Sequence, residues 1–172
     1  MMARSGGTMR TGMAGMGFAF GMLAALFTWT AEARQASSQA DLRKPFVGTW
    51  RLVSITGGVN AAARGNPTGL IIYDQHGYMA AQIQPERKRN TYTGTPTPEQ
   101  LADRARGYTA YFGTYTIDER AGIVTHHRQG QLDSGPVDFV RTFEFTQGGN
   151  RLILTPVGGT NPPSQLTWQR VR

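Results

Sequence analysis

Apolar and polar residues alternate with a period of two along most of this chain, and glycine-rich turns separate the alternating stretches. The clearest case is Tyr111 to Arg128, YFGTYTIDERAGIVTHHR. Tyr111, Gly113, Tyr115 and Ile117 fall on one side and Phe112, Thr114, Thr116 and Asp118 on the other, as in a strand. Asp118 to Gly122 supplies a turn, with a glycine free to take positive φ. Ile123-Val124-Thr125-His126-His127-Arg128 then resumes the alternation with β-branched residues.

This hairpin sits in the middle of a longer series. A strand is predicted over 46–55, with Trp50, Leu52 and Ser54 facing one way and Arg51, Val53 and Ile55 the other. Strands over 69–73 and 78–84 are joined by the turn Asp74 to Gly77. Strands over 139–146 and 151–155 are joined through Gln147 to Asn150, and a strand over 166–171 closes the chain. Between the third and fourth strands the period changes. Thr97 is placed to cap a helix, Pro98 suits its first position, and Gln100 completes a capping box. Leu101, Ala105, Tyr108 and Phe112 would share one face of a helix over about 98–110, weakened at Gly107. The sum is an all-β fold: an eight-stranded antiparallel up-and-down barrel with one short helix. An open sandwich is the alternative. A barrel of this size is either filled by side chains or holds one small ligand.

The N-terminal residues follow another pattern. Arg4 and Arg10 precede an apolar, uncharged run from Met13 to Trp29, and Ala31-Glu32-Ala33 matches a signal-peptidase site. The expectation is a signal peptide over 1–33, cleaved after Ala33, and a periplasmic or secreted protein with no membrane span after cleavage. An uncleaved anchor is the alternative, although the run falls short of the ~20 residues a span takes. Residues 34–45 are polar and rich in Ala, Ser and Gln, a flexible lead-in, and 46–172 make one domain. The chain has no cysteine, so packing alone must hold it. The formal charge is +7, but the basic residues are scattered. The one cluster, Arg87-Lys88-Arg89, reads as a solvated loop, and export argues against a nucleic-acid partner.

Gly48-Thr49-Trp50 resembles the Gly-x-Trp signature of lipocalins. The ordered set GTWRLVS (48–54), GLIIYDQHGYMAAQI (69–83), YFGTYTID (111–118), VTHHR (124–128), the Arg141 strand and LTWQRV (166–171) is similar to the bacterial lipocalin-like domain family over nearly all of the domain. The resemblance implies a β-barrel with a small apolar cup and members that bind small molecules. It brings no settled reaction, although some lipocalin-like barrels are cyclases or isomerases of polyketide or terpenoid substrates. It also implies a structural signature, Gly48 and Trp50 with Trp168 and Arg170 on the last strand, the arginine packing across Trp50 at the closed end.

Arg141 is the residue most in need of explanation. It shares a strand face with Phe139, Phe143 and Phe145, so alternation sets a charge among aromatics. If that face points inward, the guanidinium must meet an internal acid or tyrosine, line a wet cavity, or receive an anionic ligand. With Arg141 and Phe143, the residues Tyr73, Met79, Tyr111 and Tyr115 would line an open cavity, or else pack a filled core. His126 and His127 are adjacent on a strand and point to opposite faces, so they cannot share a metal. One of them faces inward, as an acid/base group or as a hydrogen-bonded core histidine. There is no serine-based triad, no Gly-x-Gly-x-x-Gly and no Walker pattern, so no cofactor is called for. Three readings stand: a barrel binding a small, largely apolar molecule with or without an anionic group; a cyclase or isomerase working in the same cup; and a structural envelope domain with a filled core.

Overall fold

The computed structural model describes residues 38–58, 65–87, 90–159 and 161–172. The expected signal peptide lies outside the described residues, as do the start of the lead-in, Lys88 and Arg89. Eight strands close into one antiparallel barrel in sequence order. They are β1 (Gly48–Thr56), β2 (Thr68–Tyr73), β3 (Tyr78–Gln84), β4 (Thr109–Asp118), β5 (Ile123–Gln131), β6 (Asp138–Thr146), β7 (Arg151–Pro156) and β8 (Gln165–Arg170). Pairing of β1 with β8, through Trp50 with Arg170 and Leu52 with Trp168, completes the ring, so neither strand is left with an open edge.

Alternation places one face of each strand inside. Trp50, Leu52, Ile71, Tyr73, Met79, Ala81, Tyr111, Tyr115, Ile117, Val124, Leu152, Leu154, Leu166 and Trp168 form the buried core. Phe46, just before β1, plugs the end where β1 begins. Its ring lies 5.5 Å from Tyr73, 5.0 Å from Phe143 and 4.9 Å from Phe145, edge-on to each. Edge-to-face pairs of this kind add to the area they bury. The Trp50 indole N–H donates to the Phe46 carbonyl at 2.7 Å. The Arg170 guanidinium lies 4.0 Å over the Trp50 ring and donates to the carbonyls of Val47 and Pro45 at 2.7 and 2.6 Å. Gly48 has φ +130°, and a Cβ there would crowd Arg170 Nη1 at 3.0 Å, which accounts for glycine at that position.

Three sequence expectations need correction. Ile55 was expected on the face opposite Leu52, yet it packs against the core. The β1–β8 register shifts between Leu52 and Ser54, so Val53 is one residue too many and the strand changes face beyond it. The helix expected over 98–110 spans Pro98–Ala105 (α2, the second helix after α1 at residues 38–43) with its capping box formed. It stops there because Gly107 takes φ +72°. No residue of α2 is buried, and Leu101 on the expected apolar face is exposed. Tyr108 instead donates its hydroxyl to Gln82 on the outside of β3, and Phe112 is exposed. Within the lead-in, residues 38–43 are helical (α1), and the Gln39 side chain donates to the Ile117 carbonyl at 2.9 Å.

Candidate functional site

The barrel interior divides by depth. Toward the β1 N-terminal end, Tyr73, Tyr115 and Phe143 pack around Phe46. Met79, opposite Tyr73 on β2 and Gly113 on β4, is buried with them. These sequence candidates belong to packed core. At the other end a cup of about 360 Å³ opens, walled by Ile55, Ile83, Phe139, Arg141 and Leu166, with Pro85, Gly107 and Thr109 at its rim. That size lies within the ~300–1,000 Å³ range of small-molecule sites. A larger concavity, about 480 Å³, lies on the outside of β1–β3 along Arg51, Leu70, Ile72 and Gln82. None of the buried polar side chains lines it, so the cup is the better candidate despite its size.

Between the packed end and the cup lies a polar layer. Buried polar side chains in the described core are His126, Arg128 and Arg141. The face left open by the sequence is thus settled: Val124, His126 and Arg128 point inward. His127 is on the outer face, where Thr116 Oγ1 lies 2.9 Å from its Nε2 and Asp138 Oδ1 lies 2.8 Å from its Nδ1.

His126, 0% exposed, is held from three strands. Its Nε2 is 2.7 Å from the Tyr73 hydroxyl, and its Nδ1 is 2.6 Å from Arg141 Nη1 and 3.0 Å from the Tyr111 hydroxyl. A guanidinium only donates, so Nδ1 accepts from Arg141 and the ring proton sits on Nε2, donated to the Tyr73 oxygen. Burial first, then the Arg141 cation, and then His127 and Arg128 push the His126 pKa well below its ordinary 6.5. Burial first, then the neighbouring Tyr111, pushes the Tyr73 phenol well above 10.0, with Arg141 opposing the rise and Tyr115 adding to it. The layer therefore sets a neutral imidazole against the neutral phenol of Tyr73. Both ring nitrogens are engaged, so His126 offers no free lone pair to a molecule in the cup.

The two buried arginines differ in their partners. Arg128 donates to Asp133 Oδ1 at 3.0 Å and from Nε to the Pro136 carbonyl at 2.7 Å, which ties the β5–β6 loop down. Arg141 stacks 3.6 Å over the Phe139 ring, and its Nε is buried without a partner. No carboxylate among the described residues lies within ion-pair distance of it. A buried cation left this way is costly unless something else meets it. Sequence reasoning singled out Arg141 but missed Ile55 and Ile83 as cup walls. The bulge in β1 hides Ile55, and Ile83 stands in a strand whose even alternation gave no reason to single it out.

A family model described as a lipocalin-like domain matches residues 47–171. No curated protein matches the chain. Solved structures with a similar outline include the fatty acid transporter REP1-NXSQ, 13% identical, covering 74% of this chain and 96% of its own with a TM-score of 0.38. Fatty-acid-binding protein 1 of Echinococcus granulosus is 16% identical, covering 75% of this chain and 99% of its own, with a TM-score of 0.37. A variant of the fluorescent protein UnaG is 14% identical over 76% of this chain and 98% of its own, with a TM-score of 0.38. At these scores the likenesses carry no argument about a ligand.

Proposed function

Since the chain belongs to the lipocalin-like domain family, we propose that it is a binding protein for a small, largely apolar molecule with one anionic group. The apolar body lies in the open-end cup against Ile55, Ile83, Phe139 and Leu166, and the anionic group meets Arg141. One observation carries this reading: Arg141 is 4% exposed, lines the cup, and has no carboxylate partner among the described residues. An ion of opposite charge at that wall would relieve the cost of burying it.

Calorimetric titration with decanoate and with decanol, molecules of one length and different charge, tests the reading. Decanoate is expected to bind the protein and decanol to bind more weakly. Arg141→Met is expected to weaken decanoate by roughly 10- to 100-fold, the worth of a charge-assisted hydrogen bond, and to leave decanol within about 3-fold. Equal decanoate affinity in Arg141→Met would remove Arg141 from the account.

We propose further that the domain acts after export, in the periplasm or outside the cell. The basic start, the apolar run and Ala31-Glu32-Ala33 support this. The intact mass of the protein recovered from the periplasm is expected to begin at Arg34. A mass that includes Met1 to Ala33 would instead indicate a retained anchor.

A further inference from the structure

What a buried guanidinium presents to a ligand depends on the partner that already holds it. Arg128 and Arg141 stand over the same two rings, Tyr111 and Phe139. Asp133 cancels the charge of Arg128 within the fold. Arg141, as buried as Arg128, is held by the His126 Nδ1 at 2.6 Å. A neutral imidazole accepts a hydrogen bond as a carboxylate does, but it returns no negative charge. Arg141 itself makes this arrangement definite. It can only donate, so Nδ1 accepts and the ring proton stands on Nε2, 2.7 Å from the Tyr73 oxygen that accepts its hydrogen bond.

The groups facing His126 leave the charge uncancelled on every side. They are Tyr73 from β2, Tyr111 from β4 with Tyr115 directly across in register, Arg141 from β6, and on its own strand Arg128 and the outward His127. None of them is a carboxyl.

We propose that His126 is the specificity-determining residue of the cup: it fixes the position of Arg141 without neutralising it, and so makes the site select anions over neutral molecules of the same shape. This rests on the reading that the cup binds its molecule at Arg141. An acid at position 126 would hold the guanidinium as well, and would turn the same cup into a site for neutral ligands.

The same titrations, run on the protein at about pH 8 where imidazoles are ordinarily neutral and carboxylates charged, test it. The wild type and His126→Asn, whose amide oxygen is still a neutral acceptor, are expected to prefer decanoate over decanol by about 10-fold or more. His126→Asp is expected to bring the two affinities within about 3-fold of each other. His126→Asp that binds decanol as the wild type does and keeps the full preference for decanoate overturns the role of His126 and leaves the cup reading standing. A wild type that binds both molecules alike overturns the cup reading, and this role falls with it. Nitrogen-15 spectra of the imidazole give a test independent of any acidic variant. The wild type is expected to show the Nε2–H form alone, and Arg141→Met, which removes the donor to Nδ1, a mixture of forms. A wild-type His126 carrying its proton on Nδ1 overturns the proposal.

Discussion

Gly113 lies on β4 where the ladder to β5 slips: Phe112 pairs with Gly130 and Gly113 with Arg128, so Gln129 is passed over. A Cβ at Gly113 would overlap the His127 carbonyl, a backbone atom that cannot step aside. Gly113→Ala is therefore expected to cost at least ~2 kcal/mol, visible as a fall of roughly 5–10 °C in Tm. An unchanged Tm would mean that the slip can be ironed out. His126 and Tyr73 each make stability depend on pH from the same interior. The His126 pKa is depressed in the folded chain, so the unfolded chain binds the extra proton first, and stability falls as pH drops below about 6.5. The Tyr73 pKa is raised, so its share of stability is complete below about 10 and is lost above that. Thermal scans should show Tm declining on the acid side, with His126→Asn flattening that decline. An unaltered acid slope in the variant would place the responsible proton elsewhere.

α2 separates local order from global stability at the scale of elements. Its capping box is complete, with Thr97 Oγ1 accepting from Gln100 N–H at 3.3 Å and Gln100 Oε1 accepting from Thr97 N–H at 2.9 Å, yet none of its residues is buried. Thr97→Ala is expected to cost the helix ~1 kcal/mol and to speed amide exchange over 98–105 about 5-fold. Tm is expected to hold, because the barrel does not lean on the helix; a Tm loss as large as the helix loss would show otherwise. The strands themselves were legible in the chain, because alternation between glycine-bearing turns is a local signal that closure does not disturb. The failures are non-local. The inward turn of Ile55 depends on a bulge set by pairing with β8. The early end of α2 reflects the positive φ of Gly107 on a helix whose expected apolar face no tertiary packing buries. For the site, alternation alone isolated Arg141 as a charge among aromatics. Which histidine faces inward needed the register that sets His126 between Tyr115 and Phe139. The partner of Arg128 lies in a loop with no periodicity to read.

Considered as one molecule, the barrel is tied at one end by its last strand. Arg170 stacks on Trp50 and holds the carbonyls of Val47 and Pro45, while the Val171 N–H donates to Thr49 O at 2.8 Å. Arg170→Ala is expected to remove ~2–3 kcal/mol. Its denaturation midpoint should fall while the slope holds, and a changed slope would mean that the end of the barrel opens before the rest unfolds. The pairing of β1 with β8 also sets a timetable. A chain made from its N-terminus delivers Trp50 before Trp168 and Arg170, so the first strand, paired early with β2, waits for its second neighbour until the last strand of the barrel has been made. Until then the growing meander has two raw edges, and whatever handles the nascent chain must shield both. Closure thus comes last: the first-made strand of the barrel is among the last to be satisfied.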